Sequence, residues 1–236
     1  MTGTPAFAPL VTLALALVAP ARAEDPEEKG TRRLEACREV LVDVLGMPES
    51  IPRDLLDKAE CVIVIPSVKK AALGVGARWG KGAASCRRQD GHGGWSAPLM
   101  MSVGGGSLGF QIGGQAADYV LLVMNPRGMD SLLKSKFTLG ADATVAAGPK
   151  GRTAAAATDA QMRAEILAYS RSRGIFAGIS IEGSVMKRDD DTNEEVYGER
   201  VKPRRVLLEG RYAIPPAARG FIEALNEYSS TSRPAR

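Results

Sequence analysis

The sequence predicts an α+β fold: a single domain with a glycine-rich antiparallel β core, barrel-like or sandwiched, and helices at its N- and C-terminal ends. Three observations carry that prediction. Glycine is plentiful and rings are scarce, 26 glycines against 5% aromatic residues in 236, a balance that suits closely approaching backbones. Apolar and polar residues alternate with period two across residues 137–147 and again across 175–185, the signature of strands with one buried face. Helical stripes flank this region, with Leu34, Cys37, Leu41, Val44 and Leu45 before it and Phe221, Ile222, Leu225 and Tyr228 after it.

Taken in order, residues 10–18 (LVTLALALV) form a short apolar run, followed by Pro20 and Ala21-Arg22-Ala23. That pattern predicts a cleaved export signal over residues 1–23, cut after Ala23, and a periplasmic or secreted protein. The run is shorter than the ~20 residues that span a bilayer. Residues 24–30 read as a flexible lead and 31–228 as the domain, with a disordered tail over 229–236. The first helix runs from Thr31 to Leu45 and ends at Gly46 and Pro48. A short second helix opens at Pro52 and buries Leu55 and Leu56. Val62-Ile63-Val64-Ile65 is a β-branched strand stopped by Pro66. Residues 119–124 are uniformly apolar, as in a strand covered on both faces. Pro126 opens a short helix through Leu133, and residues 189–195 read as a solvated acidic turn or helix start.

Composition excludes several chemistries. His92 is the only histidine, too few for a Cys₂His₂ finger, a His₃ zinc site or an H-E-x-x-H protease. A net charge of +4 is too mild to announce a nucleic-acid binder by itself, and the stacking platforms such a binder favours would need more rings. Cys37, Cys61 and Cys86 contain no C-x-x-C pair. In an oxidising compartment a Cys61–Cys86 disulfide is expected, with three buried free thiols as the alternative. Gly104, Gly106 and Gly109 match G-x-G-x-x-G, but no helical stripe follows them. Gly105, Ser107 and Gly109 match G-x-S-x-G, yet His92 precedes the serine and sits between glycines. Asp189, Asp191 and Asn193 begin a calcium-loop pattern that then fails at Glu194 and Arg200. No catalytic residue, cofactor site or metal site emerges.

One asymmetry survives. Between Lys69 and Arg88 lie six basic residues (Lys69, Lys70, Arg78, Lys81, Arg87 and Arg88), no acidic one, and Trp79. Basic side chains beside an amphipathic ring suit an anionic lipid surface. The competing account makes them the outward positions of ordinary strands, with Trp79 in the core.

Several segments together resemble the SYLF domain family, lipid-binding domains also described through actin-binding fungal members. They are Ile51-Pro52, Val62 through Pro66, Gly76-Ala77-Arg78-Trp79-Gly80-Lys81-Gly82, Gly94-Trp95-Ser96-Ala97-Pro98, Gly109-Phe110-Gln111-Ile112-Gly113, and the long stretch from Tyr169 to Ser184. The resemblance covers residues 51–197. It implies a non-enzymatic domain that binds phospholipid, phosphoinositides in eukaryotic members. The export signal departs from those cytosolic members, and no SH3 or FYVE stretch accompanies the domain here. The expectation is therefore a binder of anionic phospholipid headgroups in the cell envelope through Lys69, Lys70, Arg78, Trp79, Lys81, Arg87 and Arg88. The alternative is a structural or protein-interaction module with an envelope protein partner. Glu182 is expected to be exposed or paired with an arginine such as Arg152.

Overall fold

A computed structural model describes residues 26–89, 93–151, 161 and 163–229. The export signal, His92, Arg152 and the tail beyond Ser229 lie outside these residues. Helix α1 (Pro26–Leu45) begins five residues before the expected start at Thr31. Proline and glutamates suit the first turn of a helix, so the expected lead is helical from Pro26. Gly30 is buried, and a Cβ there would lie 2.7 Å from Val196 Cγ2. That close approach to a later helix holds the N-terminal turn in place. Leu34, Cys37, Val40, Leu41 and Val44 form its buried face. Helix α2 (Arg53–Lys58) follows, with Pro52 at its N-cap and Leu55 and Leu56 buried.

Strands β1 (Cys61–Cys86) and β2 (Leu99–Val123) make one long antiparallel ribbon, in register from Cys61 opposite Val123 to Ala84 opposite Leu99. Its register shifts between Ile65 and Val68 and between Ala72 and Gly74. The two ends of β1 come back against each other. Arg87 N donates to Glu60 O at 2.8 Å, and the Sγ atoms of Cys61 and Cys86 are bonded at 2.06 Å. A Cβ on Gly82 would lie 1.9 Å from Val64 O. Only glycine lets the strand cross itself so closely.

Between this crossing, residues 69–79 run out and return with β2 alongside. The remaining strands are β3 (Lys136–Thr138), β4 (Val145–Ala147), β5 (Ile166–Ser172), β6 (Ile175–Gly178) and β7 (Val185–Arg188). The sheet order is β3-β7-β2-β5-β4, with β1 on β2 and β6 on β5. Because β5 takes β2 at Asp118–Val123 and β7 takes it at Met101–Gly104, residues 105–117 pair only with β1 among the described residues.

The sheet is curled and mixed, since β4 and β5 run parallel; the expected antiparallel core holds for the other pairings. Two alternations expected as continuous strands are interrupted. Residues 139–143 turn through Gly140 (φ 87°) between β3 and β4, and residues 179–184 turn through Gly183 (φ 75°) between β6 and β7. Helices α3 (Pro126–Leu132), α4 (Asp190–Tyr197), α5 (Pro203–Leu207) and α6 (Arg219–Tyr228) complete the domain. The residues read as a solvated acidic turn or helix start do open a helix, α4, though Asn193 there is buried. Its amide clamps the strand: Oδ1 accepts from Met100 N at 2.8 Å, and Nδ2 donates to Met100 O at 3.1 Å.

Alternation sends each strand's side chains into one of two cores. Val62, Val64, Ala83, Val120, Leu122 and Tyr169 face α1, α2 and α6. Ile63, Ile65, Ala84, Leu121, Phe137 and Met186 meet on the other face, with α3 and α5 closing it. The apolar run of β2 is thus covered on both sides.

Candidate ligand-binding surface

The strand that carries the basic residues also sorts them. Ala83 belongs to the core beneath α1 and Ala84 to the opposite core. By the two-residue period, Trp79 and Lys81 share the face of Ala83, whereas Arg78 shares that of Ala84. Val68 lies in the second core, so Lys70 follows it there and Lys69 points to the α1 side. The expected cluster is divided: Lys69, Trp79 and Lys81 on one face, Lys70 and Arg78 on the other.

Trp79 is 49% exposed, so it is not a core residue. Beside it, Lys81 Nζ stands 3.3 Å from Asp189 Oδ2, with most of the lysine side chain in solvent. The same carboxylate accepts from Arg33 Nη1 at 2.8 Å, and Arg33 Nη2 reaches Thr192 Oγ1 at 3.3 Å. Partial burial pushes the Asp189 carboxyl up, but the Arg33 hydrogen bond, the Arg33 charge and Lys81 outweigh it and hold the group below the usual carboxylate range. Asp189 therefore stays ionised and ties the N-terminal part of α1 to the Trp79 face.

On the other face, Arg78 Nη1 donates to Ser184 Oγ at 3.2 Å, and its charge partly offsets the burial that pushes the Tyr119 phenol up. Arg87 does not belong to any basic surface. It is 4% exposed, its Nε donates to Ala59 O at 3.1 Å and its Nη2 to Leu56 O at 3.2 Å, and the guanidinium sits 4.6 Å from the Trp95 ring centroid. It ties the carbonyls of Leu56 in α2 and Ala59 just after it to the end of β1, and its guanidinium is buried in doing so. Arg88 is half-buried just beyond the strand. Glu182 is exposed.

The rejected motifs are placed by backbone alone. Residues 104–109 lie within β2, so neither a dinucleotide loop nor a strand-turn-helix elbow is formed there. Among the described residues no group of three His, Cys, Asp or Glu is arranged to hold a metal ion. Cys37 is buried, and its thiol is pushed up to about 12 by burial, which makes it unreactive at neutral pH.

The structure is thus a curled α+β sheet, one face of which carries the exposed Trp79 together with Lys69 and Lys81. The family model described as Ysc84, Las17-binding protein actin regulator, matches residues 104–228, and the chain belongs to that family. LAS seventeen-binding protein 3 of Saccharomyces cerevisiae is 33% identical over 195 residues, covering 81% of this chain and 42% of the relative. Protein YSC84 of the same yeast is 34% identical over 185 residues, 77% of this chain and 39% of its own length. SH3 domain-containing YSC84-like protein 1 of Mus musculus is 35% identical over 185 residues, 78% of this chain and 53% of its own. The chain thus spans about half the length, or less, of these relatives.

Proposed function

We propose that this chain is a non-enzymatic binding module whose Trp79 face docks on anionic phospholipid. The observation that carries the reading is Trp79, 49% exposed on the sheet face that strand alternation also assigns to Lys69 and Lys81. An indole prefers the headgroup level of a bilayer, with its ring against acyl carbons and its N–H in water. Each lysine near an anionic leaflet adds about 1 kcal/mol. Exposed charges are screened beyond about 8–10 Å at physiological salt, so the binding falls with ionic strength. We place the protein in the cell envelope; the signal-like residues 1–23 and the Cys61–Cys86 disulfide both support that, since disulfides persist in oxidising compartments.

A second reading is favoured by the family description, actin regulator, and by relatives named for binding Las17: the same face meets a protein. Co-sedimentation with phosphatidylcholine vesicles, with and without phosphatidylglycerol, across a salt series separates the two. Lipid docking predicts binding confined to the anionic vesicles, lost in salt, and weakened by Trp79→Ala combined with Lys69→Gln and Lys81→Gln. The corresponding change on the opposite face, Lys70→Gln, is expected to matter less. No vesicle binding under any condition would reject the lipid reading in favour of a protein partner.

A further inference from the structure

Strand register assembles a row of charge that the sequence scatters. Lys81 stands opposite Ser102, Ser102 opposite Lys187, and Lys187 opposite Lys136, so β1, β2, β7 and β3 contribute one residue each. Directly opposed residues of antiparallel strands share a face, and Lys81, Lys136 and Lys187 are all exposed there. The next row carries Trp79, Gly104, Val185 and Thr138 in the same strand order. A Cβ on Gly104 would meet nothing within 4 Å, so the sheet beside Trp79 is open.

Lys136 and Lys187 are a like-charge pair on adjacent strands, whose backbones run about 4.8 Å apart. Like charges directly opposite one another destabilise a sheet, and neither lysine makes an ion pair among the described residues. Other cations are neutralised within the chain: Arg171 bonds Asp118 and Asp43, Arg188 bonds Asp190, and Lys81 is held by Asp189.

Helix α4 holds the counterpart. Asp189, which pairs with Lys81, immediately precedes it, so the helix starts at the end of the lysine row. It packs inward through Thr192 and Asn193 and leaves Asp190, Asp191, Glu194 and Glu195 exposed. Arg188 takes Asp190, and Arg200 Nε stands 3.1 Å from Glu194 Oε2. Asp191 and Glu195 make no ion pair among the described residues. They lie four residues apart on one side of the helix, where two like charges again repel. The helix dipole eases Asp191 in the first turn but not Glu195. One chain thus presents two charge pairs of opposite sign on adjacent elements, and no ion pair joins them among the described residues.

We propose that a second copy of this chain docks on this face, with Lys136 and Lys187 of each copy pairing with Asp191 and Glu195 of the other. Because one face carries both pairs, a two-fold axis satisfies them together, which is the self-complementarity of a closed dimer. Single exposed ion pairs contribute little, whereas this network also relieves both repulsions. Trp79, one row from the lysines, is the kind of ring that such an interface buries as its apolar anchor. The dimer rests on charges outside the lipid reading and is measured without lipid; where both hold, a second copy and a bilayer compete for Trp79.

The test is sedimentation velocity of the full protein in lipid-free buffer, over a concentration series at low and at high salt. Wild type is expected to dimerise at low salt and to dissociate as salt screens the pairs. Lys136→Glu with Lys187→Glu, and separately Asp191→Lys with Glu195→Lys, should each weaken the dimer at least about tenfold. All four positions are exposed, so the melting temperature of each variant should stay close to that of wild type. Mixed in equal amounts, the two variants are expected to recover the dimer, because every exchanged charge then meets its opposite. A monomer at every concentration and salt, a dimer that both variants retain, or no recovery on mixing overturns the proposal. Failure of the lipid reading shows separately, as absence of vesicle binding by Asp191→Lys with Glu195→Lys, which keeps Trp79 and the lysine row.

Discussion

The Cys61–Cys86 disulfide joins the two ends of one strand, 25 residues apart in sequence, where the ribbon crosses itself. Removing it frees the unfolded chain by the entropy of a loop of that length. With the usual loop-closure expression, this amounts to about 3.5 kcal/mol at 25 °C. For a domain of this size that corresponds to a fall in melting temperature of roughly 7–14 °C. In urea, with a slope of about 2–3 kcal/mol per molar, the midpoint should drop by more than 1 M. The perturbation is the double variant Cys61→Ala with Cys86→Ala, read by tryptophan fluorescence in urea against the oxidised wild type. A thiol count accompanies it: oxidised protein should show no reactive thiol when native, one (Cys37) when denatured, and three only after reduction. A midpoint shift worth less than 1 kcal/mol, or three thiols in unreduced denatured protein, would refute the reasoning. Either result would mean that crossing is held by Gly82 and the core alone.

Three further outcomes follow from buried polar groups. Arg87→Ala should destabilise the domain by about 3 kcal/mol, because charged hydrogen bonds to two carbonyls and the Trp95 contact go together; refolded variant should bind vesicles like wild type, and selective loss of binding would return Arg87 to the surface. Asp189 has a folded pKa below its unfolded value, so its contribution is complete above the ordinary carboxylate pKa of about 3.9 and is lost as pH falls through the depressed value. Hydrogen exchange of α1 should therefore accelerate in that acid window in wild type, whereas Asp189→Asn should show the faster exchange already at pH 7, with a cost of about 2 kcal/mol. Tyr169 is fully buried, stacked on Phe176 at 5.4 Å, and its hydroxyl has no hydrogen-bond partner among the described residues. Tyr169→Phe should raise stability by about 1 kcal/mol in a urea melt, since it deletes an unpaid desolvation; a loss of stability of that size would show that the hydroxyl is bonded.

Local signals were legible in the chain because they act over one or two turns of backbone. The stripe from Leu34 to Leu45, the Pro52 start of α2, the Pro126 start of α3 and the Phe221–Tyr228 stripe each follow from spacing and from what proline does to its neighbours. The two-sided burial of residues 119–124 was legible for the same reason. The breaks at Gly140 and Gly183 were not, since alternation persists in sequence even where the chain turns. Nor was the early start of α1, which depends on Gly30 meeting Val196 across the fold.

The candidate site shows the division most clearly. Sequence alone determined that basic residues and a tryptophan are concentrated between Lys69 and Arg88, and that Cys61 and Cys86 each sit beside strand-like segments. Tertiary structure decided which of them share a face. Alternation separates Arg78 from Trp79 and Lys81, and the α2 carbonyls draw Arg87 inward. Arg33 and Asp189 meet although 156 residues apart, as do Arg171, Asp118 and Asp43 from three different elements. Such meetings are set by how strands cross and which helix packs where, and that information resides in the whole core rather than in any one stretch of chain.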